Sequence, residues 1–248
     1  MFFPLKDENP TERTPILTIS LVVVNLVLFV LTLFYLPSDQ SILGALIYGS
    51  ENPIVFEYGM KPINIIHGEQ LYTIFTSMFL HGNLFHVLSN IWFLWIFGDN
   101  IEDLFGRKKF LIIFFLSGIF ASLAHALFNP NSPIPTVGAS GAVAGILGAY
   151  VVKYPKANIV TIFIFFFFIQ FFRIPSFVFI GIWIIMQLLS ATVSTLGNVS
   201  VTVAYWAHIG GFIAGAILAF VLKERISKTE KIISEEFSRK RKGFSFLE

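Results

Sequence analysis

Long apolar runs separated by polar connections dominate the chain. The first run, residues 16–36, is about as long as a membrane-spanning helix of ~20 residues. Since no small-residue cleavage site ends this run, it predicts a permanent first transmembrane helix rather than a signal peptide. Further apolar runs follow at 78–97, 110–128, 140–152, 159–172, 176–203 and 206–222.

Whether residues 159–172 cross the membrane decides the topology. If they do not, six spanning helices result, and 15 of the 17 Lys and Arg residues lie on the side of both termini. This bias is the positive-inside signature of membrane proteins, so we expect cytoplasmic termini. A seventh span would place the eight cations of the C-terminal tail outside. The pattern therefore predicts an all-α integral membrane protein with an N-terminal segment (1–15), a six-helix membrane domain (16–222) and a basic tail (223–248).

The conformation of residues 159–172 stays open at this point. Backbone groups in lipid must find internal hydrogen-bond partners. A hairpin packed against protein and a shallow interfacial segment both satisfy this condition.

Composition agrees with a lipid environment. Hydrophobic residues make up 55% of the 248 residues and charged residues 13%, against about 25% charged in soluble domains. The absence of cysteine excludes disulfides and thiolate metal sites.

Polar residues inside the predicted helices share one depth. His81, His86 and Asn90 fall on the second predicted helix, Ser140 opens the fourth, and His208 lies on the sixth. Ser140 is 13 residues from Lys153, His208 is 15 from Lys223, and His86 is 13 from Asp99. At 1.5 Å per residue, all three lie roughly 20 Å above the inner edge. Polar groups at such depth are functional candidates by default.

Glycine patterns favour close contact between the fourth and sixth helices. Gly141 and Gly145 on one, and Gly211 and Gly215 on the other, form small-xxx-small patterns that let backbones approach. Each feature alone has a plain structural explanation: a membrane Ser often bonds its own helix backbone, a lone His often packs, and glycine is common in such helices. Their combination favours a site.

Serine hydrolysis is the chemistry that these residue types serve. His208 would take the Ser140 proton. His86, Asn90 and the Ser140 backbone N–H would supply donors for an oxyanion. Because no Asp or Glu lies at this depth, we expect a dyad rather than a triad.

Two other protease classes are excluded by the sequence. The zinc motif His-Glu-x-x-His is missing, since Gly82 follows His81. An aspartyl protease needs two mid-membrane aspartates, whereas Asp99 and Asp103 lie at a helix end. No metal and no cofactor are expected.

The motifs resemble those of the rhomboid family of intramembrane serine proteases. Gly138-Ala139-Ser140-Gly141 resembles the nucleophile motif Gly-x-Ser-Gly. The sixth-helix motif Ala-His-x-x-Gly-x-x-x-Gly is matched by Ala207, His208, Gly211 and Gly215. The second-helix signature is matched by His81, His86 and Asn90, and a following Glu-x-x-x-Gly by Glu102 and Gly106.

The resemblance implies a rhomboid-like six-helix transmembrane bundle with Ser140 as nucleophile and His208 as base. It also implies an oxyanion pocket of His86 and Asn90, and transmembrane proteins as substrates. Substrates would enter near the second and fifth helices, with Trp183 as a gate. The sequence departs from many members at Tyr72-Thr73, where they have Trp-Arg, and at Ala144, where they have an aromatic residue.

The expected activity is that of an intramembrane serine endopeptidase in the cell membrane of a prokaryote, with the site open to the non-cytoplasmic side. The expected partners are substrates and the lipid bilayer, and no nucleic acid. A catalytically silent relative that binds membrane clients, and a transporter or channel, are the alternatives.

Overall fold

A computed structural model describes residues 2–49, 52–165, 168–197 and 203–225. Helices dominate it. Within the described residues, six helices have 14 residues or more: α1 (Ile16–Leu33), α6 (Leu84–Phe105), α7 (Arg107–Phe128), α8 (Ser140–Lys153), α9 (Ser176–Leu196) and α10 (Tyr205–Val221). Short helices fill the connection between α1 and α6: α2 (Ile42–Tyr48), α3 (Pro53–Tyr58), α4 (Pro62–Ile66) and α5 (Thr73–Thr76), the last followed by a 3-10 turn (Ser77–Phe79).

Three of the long helices, α1, α7 and α9, are long and apolar enough to cross a membrane. The helices α8 and α10 are apolar but shorter. Membrane-spanning helices are therefore supported, and the count of six spans stays a prediction.

The second predicted helix begins six residues later than expected, at Leu84 rather than residue 78. Asn83 caps it, because its side-chain oxygen accepts the His86 backbone N–H at 2.8 Å. The prediction that His81 lies on this helix is therefore wrong, and His81 belongs to the connection before it.

The same helix continues to Phe105 although it carries Glu102, a buried acid. The Glu102 carboxylate accepts the backbone N–H groups of Leu17 (3.0 Å) and Thr18 (2.8 Å) and the Thr18 hydroxyl (2.9 Å). These donors belong to the first turn of α1, whose N–H groups lack partners within the helix. Glu102 thus caps α1 and fixes it against α6.

Within residues 159–172, the described parts 159–165 and 168–172 lie in two β-strands, which favours the hairpin, the first of the two alternatives. Strands β2 (Asn158–Phe165) and β3 (Phe168–Pro175) pair antiparallel, with Asn158 opposite Pro175. A third strand, β1 (Phe2–Asp7), pairs antiparallel with the other side of β2. The all-α prediction is therefore wrong for this sheet, which satisfies the hairpin backbone through pairing.

Strand β1 is docked on α6 and α8. Phe3 stacks on Trp92 with ring centroids 5.4 Å apart, and the Trp92 indole N–H donates to the Pro4 carbonyl at 2.8 Å. The Asp7 carboxylate accepts from the Tyr150 hydroxyl at 2.7 Å and from the Asn100 amide at 2.8 Å. Burial raises the Asp7 pKa above its ordinary value of 3.8, against the lowering effect of these hydrogen bonds.

Ion pairs gather at the end of the bundle where β1 ends. Arg173 of β3 pairs with Glu8 at 2.7 Å, Arg225 with Asp103 at 3.1 Å, and Lys153 with Glu224 at 2.8 Å. The N-terminal strand, the α6–α7 turn and the start of the tail therefore share one end. The predicted tail beyond Arg225 lies outside the described residues.

Helix α8 forms the centre of the molecule. All its residues from 141 to 150 are buried, and it packs most extensively against α10 and α7. This central helix begins at Ser140.

Candidate active site

The predicted glycines lie at the contact between α8 and α10. A methyl carbon added to Gly211 would overlap with the Gly141 carbonyl oxygen, and one added to Gly215 would overlap with that of Gly145. Only residues without a side chain permit this approach. The contact lies next to Ser140 on one helix and three residues from His208 on the other.

Ser140 occupies the first position of α8 and is partly exposed. It lines a small cavity of about 20 Å³ together with Gly138, Gly141 and Ala207. A cavity of ~10–15 Å³ is enough for one water molecule. The space beside the serine therefore has room for a water.

Gly138 brings the loop before Ser140 against His86 and Asn90. Its φ of +123° lies in the region that favours glycine. A methyl carbon there would lie 2.5 Å from His86 Nε2 and 3.6 Å from the Asn90 side-chain nitrogen. The Gly138 backbone N–H donates to the Ser77 carbonyl at 2.8 Å, which ties this loop to the 3-10 turn.

His86 and Asn90 both have donors near this loop. The Gly82 backbone N–H makes a long hydrogen bond of 3.5 Å to His86 Nδ1. A neutral imidazole that accepts at Nδ1 carries its proton on Nε2, the atom next to Gly138. The Asn90 amide donates one hydrogen to the His86 carbonyl at 2.9 Å, which leaves a second hydrogen for a ligand.

The His208 imidazole is held by α9. Its Nδ1 lies 2.7 Å from Gln187 Oε1, and its ring centroid lies 5.9 Å from that of Trp183. It also lies close enough to His86 for electrostatic interaction. Among the described residues, no hydrogen bond joins the Ser140 hydroxyl to His208.

Gln187 is the site residue that sequence reasoning missed. It is a strongly polar residue in the apolar run of α9, four positions after Trp183 and so on the same helix face. The dyad prediction counts only Asp and Glu as partners of His208, whereas a side-chain amide inside an apolar run is the signal that indicates Gln187.

Both departures from the family pattern have local compensation. Ala144 is buried in α8, and an aromatic contact to His208 comes from Trp183 instead. Thr73 is fully buried, and its hydroxyl donates to the Gln70 carbonyl at 2.7 Å. The Thr76 hydroxyl holds the same loop through the Tyr58 carbonyl at 2.7 Å.

His81 lies behind His86 rather than in the site itself. Its ring is 2% exposed and meets the His86 ring edge-to-face at 5.1 Å. Neither ring nitrogen has a hydrogen-bond partner within the described part of the chain. His81 therefore supports the position of His86 through packing.

Comparison with known proteins identifies the family. The Rhomboid domain matches residues 68–225, a stretch that contains every candidate site residue. The chain belongs to the rhomboid family. The family match and the long apolar helices indicate an integral membrane protein.

Individual relatives differ in what their names say about activity. RHOMBOID-like protein 1 of Arabidopsis thaliana is 28% identical over 84% of this chain and 53% of its own length. Rhomboid protease GluP of Bacillus subtilis (strain 168) is 36% identical over 37% of this chain and 18% of its own. Inactive RHOMBOID-like protein 8 of Arabidopsis thaliana is 34% identical over 40% and 30%.

The chain thus spans about half or less of the length of these relatives. They come from a plant and a bacterium, so the prokaryotic cell membrane stays a prediction. The described residues contain no group of three or more His, Cys, Asp and Glu side chains that could hold a metal ion.

Proposed function

We propose that this rhomboid is an intramembrane serine endopeptidase that cleaves transmembrane proteins, with Ser140 as nucleophile and His208 as general base. The observation that carries the proposal is the backbone contact of α8 and α10 at Gly141 and Gly211. Because each glycine lies within three residues of a proposed reacting side chain, the contact holds the two helix turns that carry them against each other.

In the proposed reaction, His208 Nε2 takes the proton of the Ser140 hydroxyl as Oγ attacks the substrate carbonyl. The carbonyl oxygen becomes an oxyanion that accepts hydrogen bonds from His86 Nε2–H, the Asn90 amide and the Ser140 backbone N–H. His208 then gives the proton to the leaving amine. A water molecule hydrolyses the acyl-enzyme by the same steps, with the hydroxyl of Ser140 restored.

The proposed orientation follows from the charges. The end that holds the Arg173–Glu8 and Arg225–Asp103 pairs would face the cytoplasm. All six long helices would then cross the bilayer, and Ser140 would open toward the other side. Trp183 on α9 would lie where a substrate enters.

A silent, client-binding relative is the second candidate function. It is favoured by one observation, the similarity to a relative that is named inactive. Against it, this chain has both a serine and a histidine at the two proposed reacting positions, 140 and 208.

Cleavage of a fluorescent single-pass test substrate by the purified protein in liposomes separates the two functions. The proposal predicts cleavage by the wild type and none above background by Ser140→Ala or His208→Ala. Binding of the substrate without cleavage by the wild type would favour the silent relative. Full activity of His208→Ala would refute the assigned base.

A further inference from the structure

A serine hydrolase needs more than a histidine beside the nucleophile. The imidazole must carry its proton on the far nitrogen, so that the near nitrogen has a free lone pair for the serine proton. In the triad enzymes, a buried carboxylate imposes this tautomer and also stabilises the imidazolium that forms. Among the described residues, the titratable groups that act on His208 are His86 on α6 and His125 on α7, and no carboxylate is among them.

We infer that Gln187 is the positioning residue of the proposed base: its side-chain oxygen holds the His208 Nδ1–H and thereby fixes both the tautomer and the ring orientation. The inference rests on the proposed function. It makes the site a serine, a histidine and a neutral amide rather than a serine–histidine dyad.

The geometry supports the tautomer directly. Gln187 Oε1 is only an acceptor, and it lies 2.7 Å from His208 Nδ1. Nδ1 must therefore donate, and in the neutral ring Nε2 is left without a proton. Nε2 is the nitrogen that the proposed reaction requires as base.

A second contact from the same helix restricts rotation of the ring. Trp183 lies one helical turn before Gln187 and faces the His208 ring at 5.9 Å with an interplanar angle of 32°. The same indole contacts Phe212 of α10 at 6.4 Å. The hydrogen bond and the ring contact together define the imidazole position.

The helix that supplies both contacts has few buried residues. Only Ser176, Ile180 and Ala191 of its 21 residues are buried, and its outer face exposes Ile182, Met186 and Leu189. The contacts of Trp183 and Gln187 are therefore among the few that fix the middle of α9 to α10.

Removal of the acceptor and addition of a negative charge at position 187 have opposite effects on the His208 imidazolium, and this difference provides the test. Gln187→Met keeps the shape and removes the acceptor, so the imidazolium loses a hydrogen bond and forms less readily. Gln187→Glu keeps the acceptor and adds a negative charge, so the imidazolium forms more readily. The acid limb of kcat/KM against pH reports the pH at which His208 becomes protonated in the free enzyme.

The experiment is kcat/KM against pH for the fluorescent test substrate, measured on the full chain in liposomes. We expect Gln187→Met to lower the plateau by about 10- to 100-fold, since a positioned general base contributes ~10²- to 10⁴-fold. Its acid limb should move to lower pH, and that of Gln187→Glu to higher pH than the wild type. Thr192→Val is the matched control, because Thr192 is exposed on the same helix and, among the described residues, its hydroxyl bonds only the Leu188 carbonyl. It should behave as the wild type.

Unshifted acid limbs in both Gln187 variants, with activity still lost in His208→Ala, would overturn this inference and leave the proposed function intact. A slower Gln187→Met with a lowered thermal midpoint, together with an unshifted limb in Gln187→Glu, would assign Gln187 to packing and also overturn it. Cleavage that persists in Ser140→Ala would instead remove the proposed function, and the inference with it.

Discussion

Among the proposed oxyanion donors, His86 and Asn90 differ in how much hydrogen-bonding capacity the fold already uses. Asn90 is 5% exposed and donates one amide hydrogen to the His86 carbonyl. The His86 ring is fixed by Gly82 at one nitrogen and meets Gly138 with the other. His86 would therefore offer its Nε2–H to an oxyanion, and Asn90 its remaining amide hydrogen.

Replacement of Asn90 by alanine removes one proposed donor without touching Ser140 or His208. Loss of one oxyanion donor costs ~2–4 kcal/mol of barrier in serine hydrolases. We expect a cost at or below this range, since the other donors remain. The measurement is kcat/KM for the test substrate.

Ser89→Ala is the control for Asn90→Ala, because Ser89 is the exposed neighbour whose hydroxyl also bonds the His86 carbonyl. It should keep the wild-type rate. Equal rates for wild type and Asn90→Ala would remove Asn90 from the oxyanion pocket.

The candidate site residues that the sequence singled out share one property, a polar group or a glycine within an apolar run. Gly138, His86 and Asn90 lie close together in the fold. Gln187 was missed because an amide is uncharged and its partner lies 21 residues away along the chain. The contact of α9 with the His208 ring of α10 forms only in the tertiary structure, and residue spacing alone does not predict it.

At the scale of elements, the contact of α8 and α10 depends on residues that have no side chain. Interiors are packed closely enough that an added methyl group forces a backbone shift or a strained neighbour. The backbones approach most closely at position 215, since a methyl carbon there would overlap with the Gly145 carbonyl group.

Gly215→Ala should therefore separate the two helices and lower both stability and cleavage. Overpacking of this kind typically costs ~1–3 kcal/mol. The measurement is the thermal unfolding midpoint in detergent together with kcat/KM.

Gly181→Ala on α9 is the matched control, because a methyl carbon there meets nothing within 4 Å. It should keep the wild-type midpoint and rate. If Gly215→Ala behaves as Gly181→Ala does, close backbone contact at this position is not needed.

Helix existence was predictable from the apolar runs, whereas helix ends and strands were not. The second helix starts at Leu84 because Asn83 caps it, although the apolar run begins earlier. Strand β1 shows no apolar–polar alternation, and its six residues are too short a stretch to stand out in the sequence. Its partner β2 lies more than 150 residues away, so only the fold reveals the sheet.

At the scale of the whole molecule, β1 connects the N-terminus to the bundle through Asp7. The Tyr150 hydroxyl and the Asn100 amide both donate to one oxygen of this carboxylate. Burial nevertheless raises the Asp7 pKa, so ionisation of the folded protein costs free energy.

Asp7→Asn keeps an acceptor for Tyr150 and removes the charge, so at pH 7 it should be as stable as the wild type or more stable. The folded pKa lies above the ordinary 3.8. Wild-type stability therefore falls as pH rises from 3.8 through the raised value. Any advantage of Asp7→Asn should be largest at neutral pH and shrink toward pH 4. Unfolding midpoints against pH measure it.

Asp7→Ala is the companion variant, because it leaves the Tyr150 hydroxyl without an acceptor. An unpaired buried donor costs ~1–3 kcal/mol, so this variant should be less stable than both others at every pH. A less stable Asp7→Asn whose deficit grows toward neutral pH would reverse the assigned sign.

Labelling with a fluorophosphonate probe tests the central claim most directly, since the probe reacts with a serine only where a base activates it. We expect the purified wild type to become covalently modified at Ser140, as located by mass spectrometry, and Ser140→Ala and His208→Ala to stay unmodified. A folded wild type that resists the probe, or a His208→Ala variant labelled at the wild-type rate, would contradict it.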